Sequence, residues 1–352
     1  MSGRPVRVGI VGAGRITALH LRALALVPGV EVTTIADVRP EAAQAMAAAF
    51  GIPEAVGSTA ELLRRPVDVV HSCVANIAHA EVAAEVLAAG RHIVSEKPLA
   101  LDAGEARALA DQADVAGVHA YVPFTRRHLP AIIRLRGDVA AAGGAHLVRG
   151  GYLQDWLLHR ADWDWRLDRA LSGPSATFAD LGGHFLDTVE FVTGQRVAAL
   201  CATLGRLHPE RDFGDPPAPR VVELEDHALL MARLSDGTLV SGTLSQVTAG
   251  WRDRIFLEVS LEETSLGWSY EDIADVRVGR QAAGFVHEHV GETPPDGFTA
   301  FSAFVPDVYA AIAGEEPAAP PATFRDGLHS VELTEAALAS AAAGAWVDAP
   351  AP

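Results

Sequence analysis

The chain has 352 residues, 49% hydrophobic and 21% charged, with 28 Lys and Arg against 45 Asp and Glu, a formal net charge of −17. This composition supports two sizeable cores and excludes a disordered chain, and its acidity disfavours nucleic acid and anionic membranes as partners. Two cysteines, Cys73 and Cys201, are too few for a disulfide framework and read as buried reduced thiols. No apolar run reaches the roughly 18 residues of a membrane span, and the first strand leads directly into a glycine-rich turn with no signal peptide, so the expected location is cytoplasmic.

Val6–Val11 is a β-branched strand that runs into Gly12-Ala13-Gly14-Arg15-Ile16-Thr17, after which 18–26 has helical periodicity. Strand, glycine turn and helix is the context of a dinucleotide fingerprint. Gly12 permits the tight turn, and Gly14 lets the backbone approach a pyrophosphate at the helix N-terminus. Thr17 stands where the third glycine would be. The strand Val30–Ala36 ends in Asp37, a carboxylate that accepts from both ribose hydroxyls and repels a 2′-phosphate, which selects NAD over NADP; Arg39 works in the other direction. Helices over 40–50 and 59–65, an apolar strand over 67–74 and the loop Ala75-Asn76-Ile77-Ala78-His79 follow. A helix over 80–89 and the strand His92–Ser95 lead to Glu96-Lys97-Pro98, and a helix over 101–114 precedes a last short strand at 121–124. Strands alternating with helices define an α/β domain with a doubly wound parallel sheet, whose ligands bind beyond the carboxyl ends of the strands. Gly12, Asp37, Asn76 and Lys97 all fall at that edge. Their convergence points to Lys97 as functional rather than as a surface lysine at a strand end.

Several of these stretches together resemble the Gfo/Idh/MocA family of NAD(P)-dependent oxidoreductases: Gly12-Ala13-Gly14-Arg15-Ile16 with His20, Ala75-Asn76 with His79, and above all Glu96-Lys97-Pro98. The pattern covers nearly the whole chain, with Val74-Ala75 where the family often has Thr-Pro. The resemblance implies an NAD site formed by Gly12, Gly14, Arg15, Ile16, Asp37, Ala75, Asn76, His79, Glu96 and Lys97, with Lys97 beside the nicotinamide and taking part in catalysis. It implies a cis peptide before Pro98. It also implies that Phe124-Thr125-Arg126-Arg127 crosses to the substrate domain and that Arg126 contacts substrate.

Beyond that crossing, 145–153 is a strand ending in Gln154-Asp155-Trp156, and Asp162-Trp163-Asp164-Trp165-Arg166 is a loop. Tryptophan faces pack on sugar rings and arginine supplies paired donors to hydroxyls; the same residues also suit a hydrophobic loop under the sheet. The tract 152–166 resembles family members acting on sugars and inositols, which implies substrate contacts for Tyr152, Gln154, Trp163 and Arg166. Asp180 and His184, four apart, share a face if the segment is helical. On spacing alone an N-cap with a core histidine, half a metal site and a catalytic pair stay open, and no further cluster of metal-ligand spacing is evident, so no metal is expected. The resemblance implies that Asp180 and His184 bind substrate and act next to Lys97, while Asp187 is structural.

Residues 206–223 hold four prolines and many charges and read as a mobile loop, a lid or an oligomer arm. Strands at 226–234 and 238–247 around Asp236-Gly237 form a hairpin, and 255–261 and 264–268 extend a mainly antiparallel open sheet of an α+β domain. The resemblance assigns its free face to a homo-oligomer, a dimer or tetramer. A helix over 301–313, a proline linker at 317–321 and a helix over 323–343 close the chain. The expected division is 1–123 for NAD, 124–322 for substrate and oligomerisation, and 323–352 as a helix packing back on the first domain.

The activity this implies is NAD-dependent, metal-free oxidation of a secondary hydroxyl of a sugar, inositol or sugar derivative. Without zinc to acidify the hydroxyl, a side chain must take its proton, and sequence alone leaves Lys97 and His184 as alternatives. An NAD-assisted glycosidase or lyase on the same scaffold, reduction of a non-sugar carbonyl, and a non-catalytic dinucleotide-binding regulator are the competing readings.

Overall fold

Six parallel strands carry the first unit of the computed structural model, which describes residues 4–214, 216–291 and 299–350. They are β1 (Val6–Val11), β2 (Val30–Ala36), β3 (Glu54–Val56), β4 (Val69–Ser72), β5 (His92–Ser95) and β6 (Ala120–Tyr121), in the order β3-β2-β1-β4-β5-β6. The central strands are covered on both faces and are correspondingly apolar: Val8, Ile10, Val69, Val70, Ile93 and Val94 have no exposed surface. The strand order reverses between β1 and β4, so the crevice of this doubly wound sheet opens where Gly12 and Cys73 leave their strands.

The chain divides into two compact units, Met1–His128 with Pro294–Leu328, and Leu129–Thr293 with His329–Pro352. These boundaries differ from the expected ones. Thr125–His128 and the helix Thr299–Ala313 belong with the first unit, because Phe304, Val305 and Val308 fill its core and Asp307 binds His128 at 2.6 Å. The last long helix, Phe324–Ala343, is shared. Its first turn sits in the first unit, where Arg325 pairs with Asp111 and Asp114. Its remainder lies in the second, where His329 binds Glu190 and Ser340 receives the Ala202 N–H.

Among the described residues, the second unit holds a nine-stranded sheet and a separate hairpin. The strands are β7 (Leu147–Leu153), β8 (Val197–Gly205), the hairpin β9 (Glu210–Phe213) and β10 (Ala218–Val221), β11 (His227–Leu234), β12 (Leu239–Ser245), β13 (Arg254–Ser260), β14 (Thr264–Ser269), β15 (Asp275–Arg280), β16 (Gly284–His289) and β17 (Val347–Asp348). The large sheet runs β16-β15-β14-β13-β7-β12-β11-β8-β17 and is antiparallel except where β7 lies parallel to β12. Alternation along β11 buries Ala228, Leu230, Ala232 and Leu234 on one face and exposes Leu229 and Met231 on the other.

The covered face carries the helix Gly183–Thr193, which approaches closely because two strands lack side chains there. A Cβ at Gly150 would lie 2.8 Å from Phe185 Cε2, and one at Gly242 would lie 2.6 Å from Phe185 Cε1. The Phe185 ring fills that notch and is fully buried.

Two further sequence expectations change. Within 206–223 the described residues form a hairpin rather than a loose loop: β9 and β10 pair through four residue pairs, and Arg211 of β9 is completely buried. Its guanidinium donates to Asp226 Oδ2 at 3.0 Å and to the carbonyls of His159 and Asp162. A buried arginine with a carboxylate and two carbonyls holds a proline-rich segment down that composition marks as mobile. Cys201, expected to be buried, is partly exposed, because it faces outward on β8 beside Met231.

Candidate active site

In the first unit the predicted cofactor residues gather at the carboxyl edge of the sheet. Gly12 has φ +97, and a Cβ there would lie 2.5 Å from the Cys73 carbonyl oxygen, so only glycine fits this turn. Gly14 is the N-cap of the helix Arg15–Leu24 with no side chain capping it, which leaves the first-turn N–H groups for an anion. Arg15 is exposed and Ile16 half-buried on that first turn. Thr17 replaces the third glycine without disturbing the turn: its hydroxyl is buried and donates to Gly12 O at 2.8 Å.

Asp37 follows β2 as expected, and it also braces the turn. One oxygen accepts the Ala13 N–H at 2.8 Å, and the other accepts Arg39 N at 2.8 Å and Arg39 Nε at 3.2 Å. Burial alone would raise the Asp37 pKa; these donors outweigh it and hold the carboxyl below its usual range. Arg39 is thereby drawn onto Asp37. Glycine turn, open helix N-terminus and strand-end carboxylate fit a dinucleotide with an unphosphorylated ribose.

Ala75 is exposed and Asn76 half-buried at the turn after β4. His79 is buried, with Nδ1 2.5 Å from Pro98 O and Nε2 3.1 Å from Val74 O. Its position is that of a brace tying the turn after β5 to the loop after β4. The Lys97-Pro98 bond is cis, as the resemblance implied. Lys97 is half-buried, and its backbone N–H is 3.2 Å from Glu96 Oε2. The carboxylate of Glu96 is buried and reaches His20 Nε2 at 3.0 Å. Arg126 is buried in the turn Thr125–His128 of this same unit, donating to Thr125 Oγ1 at 2.8 Å.

In the second unit a different cluster forms. Asp180 lies in a π-helical turn, Phe178–Gly182, that widens the entry to the helix carrying His184; such turns recur at functional positions. Buried Glu225 secures that entry by accepting from Ser175 Oγ, Ala176 N and Phe178 N at 2.6, 3.1 and 2.9 Å. Asp180 Oδ2 accepts from Gln246 Nε2 at 3.0 Å, and Gln246 is itself oriented by the Thr177 hydroxyl at 2.8 Å. Arg166 Nε stands 3.7 Å from Asp180 Oδ1, with its guanidinium 4.7 Å over the Trp165 ring and 5.7 Å from that of Trp156. The Tyr152 ring lies 6.1 Å from His184, and its hydroxyl donates to Asp253 Oδ1 at 2.5 Å. Gln154 donates to the same oxygen at 3.1 Å and accepts from Trp156 Nε1 at 2.7 Å.

Tyr152, Gln154, Arg166, Asp180 and His184 are thus brought together in one cluster. Trp163 is not in it: its ring packs 4.5 Å from Phe213 and 4.7 Å from the Arg220 guanidinium, in the small core of Leu157, Leu167 and Val222. Trp156, Gln246 and Asp253 join the cluster unannounced. Trp156 sat in the same tract, but nothing local marks Gln246 or Asp253, which arrive through the pairing of β7 with β12 and β13.

Paired carboxylates, amides and an arginine set among aromatic faces suit a polyhydroxylated ligand, and the first unit has the turn, helix end and carboxylate of a dinucleotide site. Fold and clusters define an NAD-binding oxidoreductase. Residues 6–124 match the oxidoreductase family with an NAD-binding Rossmann fold, and 138–266 match the GFO/IDH/MocA C-terminal domain. The chain belongs to the Gfo/Idh/MocA oxidoreductase family. It is 26% identical to levoglucosan dehydrogenase of Pseudarthrobacter phenanthrenivorans over 98% of both chains. A myo-inositol dehydrogenase of Streptomyces leeuwenhoekii is 32% identical over 68% of each. A levoglucosan dehydrogenase solved with NADH and L-sorbose superimposes with a TM-score of 0.90 at 26% identity, covering 99% of this chain and all of that one. Among the described residues, no helix is long and apolar enough to cross a membrane.

Proposed function

We propose that this NAD-dependent oxidoreductase oxidises a secondary hydroxyl of a sugar, inositol or anhydrosugar, with Lys97, His184 and Asp180 handling the proton. The observation that carries the substrate class is the Tyr152–Asp253–Gln154 and Arg166–Asp180–Gln246 arrangement, which offers alternating donors and acceptors beside the Trp156 and Trp165 rings. A ring of hydroxyls can add donors and acceptors to such a polar set, which a hydrocarbon cannot do. The levoglucosan and myo-inositol dehydrogenases similar to this chain act on molecules of that class.

Bound NAD supplies the hydride acceptor. Gly12, Gly14, Arg15 and Ile16 would hold the pyrophosphate, Asp37 would hold the adenosine ribose, and Ala75, Asn76 and the Glu96-Lys97 turn would lie on the nicotinamide side. As the carbinol C–H bond gives up its electron pair with the hydrogen, the O–H bond breaks and a carbonyl forms, so one proton must go to a base. Lys97 takes it, His184 hydrogen-bonds the same oxygen, and Asp180 orients His184 or a neighbouring hydroxyl. Arg126 and Arg166 bind further hydroxyls. The exposed apolar side chains Leu229, Met231 and Leu239 share the open face of the large sheet, which supports a homo-oligomer formed through that face. Two free thiols suit a reducing, cytoplasmic setting.

Turnover of a panel of inositols, aldoses and anhydrosugars with NAD, followed by NADH absorbance, tests this reading. Steady NADH formation with a cyclic polyol supports it. Glycoside cleavage without net NADH would replace it with transient oxidation, and NADH binding with no turnover of any member would replace it with a regulator.

A further inference from the structure

Behind the turn that presents Lys97, four buried ionisable side chains from four elements stand in a row. Glu96 Oε1, after β5, is 3.0 Å from His20 Nε2 on the helix Arg15–Leu24. His20 Nδ1 is 2.8 Å from His71 Nδ1 on β4, and His71 Nε2 is 3.1 Å from the Tyr309 hydroxyl on the helix Thr299–Ala313. His20 and His71 have no exposed surface, and Glu96 and Tyr309 are 6% and 5% exposed. None of these contacts enters the chemistry described above.

The hydrogens can be placed by elimination. A carboxylate only accepts, so His20 Nε2 carries a hydrogen. Two Nδ1 atoms facing each other share one hydrogen. If it is on His20, that ring is an imidazolium, and neutral His71 holds its hydrogen on Nε2 and donates to Tyr309. If it is on His71, every group but Glu96 is neutral, and a buried carboxylate is left without a counter-charge on this side, which is costly. The groups facing the row favour the first arrangement. Burial opposes the charge on His20, but Cys73 from the end of β4 and Glu96 outweigh it and push its pKa up to about 10. Burial and His20 hold His71 well below its ordinary value. Burial would raise Glu96, yet His20, Lys97 and His79 on the helix His79–Ala88 together lower it.

We infer that His20 is the counter-charge of Glu96, a positioning residue that neutralises the buried carboxylate in the turn that carries Lys97. The inference rests on Lys97 being the base. With the imidazolium present, Lys97 neighbours a neutral pair. Without it, Lys97 neighbours a bare, buried carboxylate.

Three measurements on the full-length enzyme test this. Imidazole nitrogen NMR at a pH of about 8, above the ordinary histidine range, should show both His20 ring nitrogens protonated; a single protonated nitrogen overturns the inference without reference to activity. In the pH profile of kcat/KM, His20→Gln should move the basic-side rise up by about one pH unit. Glu96→Gln, which removes the carboxylate while freeing His20 to become neutral, should leave it nearly in place. A rise unmoved in His20→Gln that still binds NADH, or a downward shift of about a unit in Glu96→Gln, overturns the inference; the second variant decides if the first fails to fold. Lys97→Ala separates the two claims: a basic-side rise that survives in it refutes Lys97 as the base, while the NMR result still reports on the His20–Glu96 pair.

Discussion

The two functional clusters are built on different principles. In the first unit four residues proposed for the cofactor follow strands: Gly12 after β1, Asp37 after β2, Asn76 after β4 and Lys97 after β5. The parallel sheet aligns those ends automatically, so neighbours in function are neighbours in a pattern that repeats along the chain. In the second unit the cluster joins Tyr152 to Asp253 across 101 positions and Asp180 to Gln246 across 66. Sheet register makes those contacts. A binding edge made by topology tolerates sequence change between its parts, whereas a cluster made by register depends on each strand keeping its partner, and substrate choice is therefore the more easily altered of the two.

The largest expected effect tests the first cluster. Lys97→Ala should lower kcat by at least about a hundredfold, as loss of a general base does, with NADH affinity largely kept. His184→Ala should also fall severely in kcat. If His184 rather than Lys97 is the base, Lys97→Ala keeps a pH-dependent rise near about 6.5, and only His184→Ala removes it. Near-wild-type turnover in Lys97→Ala would break the comparison, because the strand-end edge would then bind cofactor without taking part in chemistry.

The second expectation sharpens the register argument. Asp253→Ala withdraws an acceptor from both Tyr152 and Gln154, a loss of about 1–3 kcal/mol when such groups stay unpaired. KM for the sugar should rise about tenfold or more while NADH affinity is unchanged, as read by steady-state kinetics and NADH fluorescence. Equal losses of both affinities would mean that the two clusters are not separable.

Cofactor choice follows. Asp37→Ala should narrow the preference for NAD over NADP by about tenfold, the worth of a charge-assisted hydrogen bond, measured as the ratio of kcat/KM values. Tighter NADP binding by the unaltered enzyme would show that Arg39 dominates despite its contact with Asp37.

The smallest effect concerns stability. Asp68 accepts from Arg7 N, Nε and Nη2 and from Arg4. Burial would raise its pKa, but these donors lower it to about 2 from 3.8. A depressed carboxyl pKa stabilises the fold above the unfolded value, and the contribution fades as pH falls from about 4 through about 2. The pair is partly exposed, Arg7 at 27% and Asp68 at 21%, so solvent screens it and Asp68→Asn should lower stability by about 1 kcal/mol at neutral pH, and the difference should vanish in acid melts. A gap between wild type and variant that persists at pH about 2 would assign the effect to packing instead.

Local chemistry made much of this protein legible. Gly12 was readable because a turn with positive φ against a backbone carbonyl admits no other residue, and Asp37 because it ends a strand. Asp236-Gly237 marked the hairpin of β11 and β12 because its turn needs a residue at φ +93. Residues 206–223 were misread for the converse reason. Prolines and charges describe a segment's solvation, but a completely buried Arg211, paired with Asp226 fifteen positions away, holds it in place. For Trp163 composition left substrate contact and a hydrophobic loop both open; its contacts with Phe213 and Arg220 exist only because β9 and β10 fold back over its loop.

The sequence by itself marked the alternating strands of the doubly wound sheet, the dinucleotide turn, and the strand-end carboxylate and lysine, because each is read within a short stretch, whereas the spacing of Asp180 and His184 left their role open. Only the tertiary structure decided that Asp253 joins Tyr152 and Gln246 joins Asp180, that the helix Thr299–Ala313 belongs to the first unit, and that Tyr309 reaches His71 across 238 positions to complete a buried row behind Lys97. Those contacts depend on strand register and core packing, which sum over many distant residues and leave no mark in any short stretch.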